Sequence, residues 1–317
     1  MVSDMYDYII VGGGIYGLLL ACKLSREKNK IMLTDKKDII KNNKLNYMVI
    51  TQNSYNLLNN IIDNIDEFIA KKIDSILINN QLYHTKRYIL NIKKLKEYLV
   101  DKCKKSKVKI VDKTSINKYN FKNNEIVINS KKYSYKYLVG ADGTLSEVRM
   151  NKIRSIQRFK VSIILKSKNN NDYKVLYNRK NKLYEECTST KNNNIIRIIS
   201  NKKKNNLFNE IESIKENYNA TSKRINTYLI PSGNLLIKSD NVYFIGDASG
   251  LINTLTNMTM DYNLELINKI PNINKNDIKR IRRKVKFNLI VSKLIYLPII
   301  NKLVLRLIKK ICKEDLC

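Results

Sequence analysis

The chain has 317 residues, of which 43% are hydrophobic and 28% are charged, and its formal net charge is +32 at pH 7. This composition is typical of a globular protein, and the length allows one large domain or two interleaved domains. No stretch approaches the roughly 18 uncharged apolar residues of a membrane-spanning helix. The sequence therefore predicts a soluble or peripheral protein.

The excess of positive charge suggests an anionic partner, which could be nucleic acid, a membrane surface or an anionic substrate. Lysine accounts for most of the excess and accompanies abundant asparagine, isoleucine and tyrosine, so AT-rich codon usage explains much of it. No recognised nucleic-acid-binding motif accompanies the charge, and we expect no specific nucleic-acid partner. The charge should still attract anionic lipid headgroups.

Cysteine and histidine usage excludes several kinds of site. The five cysteines are an odd number and include no C-x-x-C pair. This pattern favours a reducing cytoplasm over a disulfide framework, and it predicts no metal site. His84 is the only histidine, and we interpret it as a surface or packing residue.

The N-terminal region has the pattern of a strand, a glycine-rich turn and a helix. Residues 8–11 are an apolar run, G-G-G-I-Y-G follows at 12–17, and a second apolar run ends before Asp35. In a βαβ unit this spacing is typical of dinucleotide binding. Gly12 allows the tight turn, Gly14 lets backbone N–H groups approach a pyrophosphate, and Gly17 allows close helix packing. Asp35 would accept hydrogen bonds from a ribose.

Further elements are predicted from the spacing of apolar residues in the next hundred residues. They are a helix over residues 54–73, a helix over 91–104, a strand over 108–111, and a β-hairpin over 116–137 with Asn123 and Asn124 at its turn.

Residues 159–230 change in character. β-like runs alternate there with Lys/Asn-rich turns, with one helix-like stretch between them. This pattern predicts an antiparallel sheet inserted between two parts of the nucleotide-binding domain.

Two more glycine–acid turns follow apolar strands. The first is G-A-D-G at 140–143, which contains Asp142 and Gly143, and the second contains Gly246 and Asp247. The carboxyl ends of parallel strands meet at one edge of a doubly wound sheet. We therefore expect a long cofactor to touch all three turns.

These motifs resemble those of the FAD-dependent enzymes that include the aromatic hydroxylases, such as p-hydroxybenzoate hydroxylase, and the geranylgeranyl reductases. The matching segments are 12–17 with Asp35, GADGTLSEVR at 140–149, and NVYFIGDASGLIN at 241–253. The resemblance implies an α/β fold with a Rossmann-like FAD-binding domain of the GR2 type, an inserted antiparallel β-sheet substrate domain and C-terminal helices. The implied divisions are 1–158 and 231–270 for FAD binding, 159–230 for substrate and 271–317 for the basic, apolar tail.

The resemblance also implies the cofactor and its contacts. FAD is expected, with NAD(P)H or ferredoxin as electron donor. Asp247 would bind the ribityl chain and Asp142 would lie near the pyrophosphate and ribose; Ser146 and Arg149 could instead serve as a helix cap and a surface ion pair. The predicted FAD contacts are Gly12, Gly14, Ile15, Tyr16, Gly17, Asp35, Asp142, Gly143, Gly246, Asp247, Ala248 and Asn257.

The order of motifs after residue 226 is most similar to the geranylgeranyl reductase branch. That branch reduces isolated double bonds in isoprenoid lipid chains, and the basic, apolar tail suits an anionic membrane surface. The tail could equally pack on the FAD domain. We expect a cytoplasmic protein, peripheral at the membrane where the tail binds lipid.

Two departures from the family pattern keep other functions open. The family has proline and G-x-G before the last helix, whereas this chain has Asn257 and Thr259; asparagine tolerates a left-handed backbone and threonine does so poorly. Ile92 stands where the family usually has arginine. The alternatives are an FAD-dependent hydroxylase or epoxidase of an apolar substrate, and a degenerate, non-catalytic flavoprotein. No catalytic residue can be assigned.

Overall fold

The structure is a computed structural model that describes residues 4–41, 46–155, 159–167, 173–178, 183–189, 194–200, 204–220, 226–232, 234–254 and 256–294. Within these ranges, sixteen strands form two eight-stranded sheets. The strands are β1 Asp4–Val11, β2 Ile31–Thr34, β3 Tyr47–Thr51, β4 Ile69–Ile78, β5 Gln81–Asn91, β6 Lys109–Val111, β7 Lys118–Asn120, β8 Glu125–Ile128, β9 Lys131–Gly140, β10 Phe159–Ser167, β11 Lys174–Asn178, β12 Leu183–Ser189, β13 Asn194–Ser200, β14 Asn226–Pro231, β15 Lys238–Ser239 and β16 Val242–Phe244.

Helices connect and cover the sheets. The α-helices are α1 Ile15–Arg26, α2 Gln52–Asn59, α3 Ile92–Lys105, α4 Glu147–Ile153, α5 Lys204–Asn217, α6 Met260–Lys269 and α7 Lys275–Leu294, and two 3-10 helices span Ile65–Phe68 and Gly246–Ser249. Among the described helices, none is both long enough and apolar enough to cross a membrane.

The first sheet confirms the predicted doubly wound architecture. Its order is β15-β16-β9-β1-β2-β6, and the five strands from β16 to β6 are parallel to their neighbours. In this register Val11 lies opposite both Thr34 and Gly140, and Phe244 lies opposite Gly140. The carboxyl ends of four strands therefore meet at one edge of the sheet.

Apolar side chains pack on both faces of this sheet. α1 lies against it with Leu18, Leu19, Leu20 and Leu24 fully buried, because α3 and α6 cover its outer side. On the other face, the β7–β8–β9 meander and α4 bury a second apolar cluster. The predicted hairpin over 116–137 is confirmed, with a turn at 121–124, and β8 forms a further hairpin with β9.

The second sheet confirms the predicted antiparallel layer but extends beyond residues 159–230. Its order is β14-β10-β13-β12-β11-β4-β5-β3, and only the short β4–β11 pairing is parallel among the described strands. Three of its strands come from residues 47–91. The division into domains at residues 158, 230 and 270 stays a prediction.

The helix predicted over 54–73 is wrong. α2 ends at Asn59, a 3-10 helix follows, and β4 begins at Ile69. The apolar residues that suggested the helix, including Ile61 and Ile65, are buried as expected. The apolar spacing identified the side chains that face the core. It did not identify the backbone conformation, because the residues from Ile69 onward pair with β5 in the long β4–β5 hairpin.

Replacing Gly17 should destabilise the fold. A Cβ at this position would lie 2.0 Å from the Gly12 carbonyl oxygen, so α1 could not keep its place against β1. We expect Gly17→Ala to lower the free energy of unfolding by about 1–3 kcal/mol, although alanine favours helices.

Gly14→Ala is the matched control. A Cβ at Gly14 meets nothing within 4 Å, and its φ of −70° suits any residue. Its effect on urea-induced unfolding of the cofactor-free protein should stay within about 0.5 kcal/mol. Equal losses in the two variants would contradict the packing argument.

Candidate cofactor and substrate site

The turn between β1 and α1 is built to receive an anion. Gly12 has a φ of +113° and donates to the Thr34 carbonyl at 2.7 Å. Gly14 is the N-cap residue of α1, without a side-chain cap and without an acidic residue in the first turn. The first N–H groups of a helix have no partner within it, and the space beside Gly14 is open. Backbone donors at Ile15 and Tyr16 can therefore meet a pyrophosphate.

Asp35 holds this turn from the end of β2. Its Oδ2 accepts a hydrogen bond from the Gly13 N–H at 2.7 Å and its Oδ1 accepts one from the Lys37 N–H at 2.8 Å. The carboxylate is half-buried. It thus lies beside the anion-binding turn, where the sequence predicted a contact with a ribose.

Lys96 is a functional candidate that sequence reasoning missed. It lies on α3, is buried, and faces the acids after β2. Burial lowers the pKa of Lys96, while Asp35 and Asp38 oppose that change. Ile92 is buried at the first turn of the same helix. The sequence did contain a signal for it. Lys96 follows Ile92, which stands where the family usually has arginine, by four residues, so both lie on the same face of α3.

The second motif presents an unsatisfied carboxylate oxygen. Asp142 Oδ2 accepts hydrogen bonds from the N–H groups of Glu147 at 2.6 Å and Val148 at 3.2 Å. Its Oδ1 is buried, and no described residue donates to it. Burial raises the pKa of Asp142, against the opposing effect of these hydrogen bonds. Gly143, with a φ of +88°, borders open space. An external donor such as a ribose hydroxyl would satisfy the free oxygen.

Of the two simple roles suggested for Ser146 and Arg149, the structure supports the helix cap and excludes the surface ion pair. Ser146 caps α4, because its Oγ accepts the Arg149 N–H at 3.1 Å. The surface ion pair suggested for Arg149 is wrong, since this side chain is only 2% exposed. Its guanidinium donates to the Ala248 carbonyl at 2.9 Å and to the Asn234 carbonyl. Arg149 therefore joins the second motif to the third.

The third motif begins where β16 ends. Gly246 has a φ of +61° and donates to Asn263 Oδ1 on α6 at 2.6 Å. Asp247 is half-buried in the following 3-10 helix and Ala248 is fully buried.

Tyr16 connects the first motif to the third and to α6. A Cβ added at Gly246 would lie 2.7 Å from the Tyr16 ring, so glycine is needed for this contact. The Tyr16 hydroxyl lies 2.6 Å from Thr259 Oγ1 at the start of α6. Burial raises the pKa of Tyr16, and the Thr259 hydrogen bond lowers it by less. The side chain is thus a buried, neutral phenol that bridges two helix N-termini.

The 253–259 loop, in which residue 255 lies outside the described residues, leads from the third motif to α6. Asn257 has a φ of +53°, as expected for an asparagine that replaces glycine. Thr259 has a φ of −115° and avoids the left-handed region. The Asn253 N–H donates to the Met258 carbonyl at 2.8 Å and closes the loop.

A small cavity of about 70 Å³ lies between this loop and the second sheet. Its apolar lining comes from β3, β10, β13, the loop and the start of α6, and includes Met48, Ile164, Ile195, Met258 and Met260. Glu186 and Arg197 form the most polar part of its wall. Its lining can contact a small apolar group or one segment of a longer apolar chain beside the end of the cofactor site.

A buried polar network supports that wall. Glu186 is ion-paired with Arg197, and its Oε1 accepts from the Tyr173 hydroxyl at 2.7 Å. Arg87 donates to the same hydroxyl at 3.0 Å, and Arg197 donates to the Asn257 carbonyl at 3.4 Å. Burial lowers the pKa of Arg197, but the combined effects of Glu186, Tyr184 and Tyr173 are larger and raise it. Sequence reasoning missed this network because its members come from three strands and β12 was not predicted.

Comparisons with known proteins agree with this geometry. No protein-family model matches the chain, and no curated protein matches it in sequence. Solved structures match it well. A geranylgeranyl bacteriochlorophyll reductase-like protein from Thermoplasma acidophilum is similar at 15% identity with a TM-score of 0.75, over 93% of this chain and 89% of that one. PqsL from Pseudomonas aeruginosa, a probable FAD-dependent monooxygenase, is similar at 13% identity with a TM-score of 0.69, over 92% and 94%.

CtdE, solved in complex with FAD and a substrate, is similar at 12% identity with a TM-score of 0.69, over 91% of this chain and 89% of that one. The chain has the fold of the FAD-dependent oxidoreductases. This confirms the predicted fold class, with its FAD-binding domain and second sheet. At these identities both reductase-like and monooxygenase structures share the fold.

Most of the predicted FAD contacts lie together at one edge of the first sheet. They are Gly12, Gly14, Ile15, Tyr16, Gly17, Asp35, Asp142, Gly143, Gly246, Asp247 and Ala248. Asn257 lies in the loop before α6. Their contacts with FAD stay predictions.

Breaking the Glu186–Arg197 pair should destabilise the protein strongly. Glu186→Leu leaves the half-buried Arg197 guanidinium without its carboxylate, and we expect a loss of about 3 kcal/mol in the free energy of unfolding. In the double variant Glu186→Leu with Arg197→Met, both charges are gone and most of the loss should be recovered. Urea denaturation of the single and double variants measures the coupling. Additive losses would contradict a direct buried pair.

The raised pKa of Asp142 predicts a pH-dependent contribution to stability. The folded state binds this proton more tightly than the unfolded chain, whose value is near 3.8. Wild-type stability should therefore fall as pH rises from about 4 to the raised pKa, and this loss persists above it. Asp142→Asn keeps an acceptor for α4 and removes the loss. The difference in free energy of unfolding between the two proteins should grow in favour of the variant from pH 4 to 7. A difference independent of pH would contradict the assignment.

Proposed function

We propose that the protein is an FAD-dependent oxidoreductase that reduces carbon–carbon double bonds in isoprenoid lipid chains. One observation carries the proposal: three glycine–acid turns meet at one sheet edge, next to a cavity with an apolar lining. When bound, FAD would supply hydride transfer, which no side chain of this chain can supply.

The residues present fit the cofactor. Gly14 and Gly143 border open space, α1 offers uncapped N–H groups, and Asp142 Oδ1 is a buried acceptor without a described donor. The pyrophosphate would bind at Gly14, riboses at Asp35 and Asp142, and the ribityl chain at Asp247. Lys96 would add positive charge at the ribose end.

An apolar lipid chain suits the cavity and the surface near the C-terminus. Five apolar side chains from separate elements line the cavity. On α7, Phe287 and Ile290 are each 50% exposed and share a face with basic neighbours, including the exposed Arg283 and Lys286. This face supports the proposal of contact with an anionic membrane, from which the substrate would be taken.

A monooxygenase of an apolar substrate is the second candidate. The observation that favours it is the Glu186–Arg197 pair at the cavity wall, because a fixed polar pair can orient a substrate that carries a polar group. In that case oxygen and NAD(P)H would be consumed with substrate. NAD(P)H or ferredoxin would serve the reductase.

A non-catalytic flavoprotein is the third candidate. Ile92 offers no charge to the cofactor, and the Tyr16–Thr259 hydrogen bond spans the approach to α6. Both features lie in the proposed cofactor site, so FAD binding is the property that separates the candidates first.

The purified protein should carry FAD, seen as a flavin absorption spectrum and quantified after release. Gly14→Val adds a branched side chain where the pyrophosphate would lie, and we expect it to weaken FAD binding at least about 100-fold, from loss of close backbone contact. Leu82→Ala, at an exposed residue of β5 in the second sheet, is the control and should bind FAD normally. A colourless wild type that rejects added FAD would overturn both enzyme candidates.

The FAD-loaded protein then separates the two reactions. Chemically reduced protein mixed anaerobically with a geranylgeranyl lipid should be reoxidised with formation of the saturated product. Oxygen uptake that requires substrate and NAD(P)H, with an oxygenated product, would instead support the monooxygenase. If neither the lipid nor oxygen reoxidises the reduced protein with formation of product, the result supports the non-catalytic candidate.

A further inference from the structure

We propose that Lys160, Thr254 and Asn257 form a binding site for a small anion, of the size of a halide ion, beside the 253–259 loop. This site shares Asn257 with the predicted cofactor contacts and with the substrate cavity, whereas Lys160 and Thr254 belong to neither. It does not depend on the proposed function, because its evidence lies in the second sheet, the loop and α7.

The site is a second, smaller cavity that shares Asn257 with the substrate cavity. Its wall comes from β10, β11, β12, the loop and α7, and includes Lys160, Tyr177, Tyr184, Thr254, Asn257 and Ser292. Its interior has room for about one water-sized group. A monatomic anion or one oxygen of a small carboxylate is the largest group that fits.

Two buried polar atoms in this wall lack partners, and a lysine lies beside them. Thr254 Oγ1 and Asn257 Oδ1 are buried and have no hydrogen-bond partner in the described part of the chain. The Lys160 side chain, which lines the same cavity, makes no hydrogen bond or ion pair with a described residue. A buried polar atom without a partner is costly, and a ligand that bonds these groups would remove that cost.

The chemistry of these groups selects an anion. Lys160 is half-buried, and burial lowers its pKa, which means that its positive charge is poorly solvated. A negative ligand would stabilise the ammonium form. Thr254 can donate its hydroxyl hydrogen, and rotation of the Asn257 amide exchanges its oxygen for a donating NH₂ group. An ammonium, a hydroxyl and an amide are together a donor set for an anion.

An anion here would also fix the 253–259 loop. Two of the three groups belong to this loop, and Asn257 additionally accepts from Arg197 through its carbonyl. The loop leads directly to Thr259, which bonds Tyr16 in the candidate cofactor site. Anion binding should therefore strengthen FAD binding, and FAD should strengthen anion binding by the same factor.

The test is thermal unfolding of the FAD-free protein at constant ionic strength, with bromide replacing gluconate, which is too large for the cavity. At ten times its Kd, bromide should raise the Tm by about 2 °C. Lys160→Met should lose most of this shift. Lys166→Met, an exposed lysine on the same strand, is the matched control for the high net charge and should keep it.

Thr254→Val is a second test variant of nearly equal volume, for the case that Lys160→Met does not fold, and it should reduce the shift about threefold or more. Crystals of the wild type grown with bromide should show anomalous scattering at Lys160 Nζ. Equal shifts in Lys160→Met and Lys166→Met would mean non-specific screening and would overturn the proposal. No bromide shift in the wild type would also overturn it, and would mean that Lys160 is neutral or bound to water. Since FAD is absent from this test, its failure would leave the proposed oxidoreductase function unaffected.

Discussion

The parallel pairing of β1 with β9 is the constraint on which the candidate site depends. It sets Val11 opposite Gly140, and the Ala141 N–H then donates to the Val11 carbonyl at 2.7 Å. The two turns that follow are so close that a Cβ on Gly12 would lie 2.3 Å from the Ala141 oxygen. Glycine at this position therefore allows the first and second motifs to form one continuous surface.

The third motif is added to that surface by a buried cation. Arg149 reaches from α4 to the Ala248 and Asn234 carbonyls, and these hydrogen bonds replace water around its charge. Asn263 on α6 then holds Gly246 from the other side. A basic residue in a motif with a capping serine looked like a surface feature, but its role is to join two parts of the chain that lie 99 residues apart.

The sequence predicted what depends on local pattern and missed what depends on distant partners. The βαβ unit, α3, the hairpin and the three turns are encoded in short spacings, and all were found. β12 was not predicted, because two adjacent glutamates, Glu185 and Glu186, interrupt the apolar pattern that is typical of a buried strand. Both are buried on opposite faces of the sheet, one beside Tyr218 and the other beside Arg197. Their partners could not be identified without the register of the sheet, so the polar wall of the cavity was also missed.

The two ends of the candidate site differ in their electrostatics. α1 begins without an acid in its first turn, so its positive end is free to bind phosphate. α6 carries Asp261 in its first turn, and this carboxylate accepts hydrogen bonds from Thr51 and Ser54 at 2.5 Å each and offsets the positive end of that helix. Negative charge on a bound cofactor would thus be well stabilised at α1 and less so at α6. The proposed cofactor binding and the proposed turnover would therefore depend on different parts of the chain: the first on the glycine turns of the first sheet, and the second on the loop before α6 and the polar pair across the cavity.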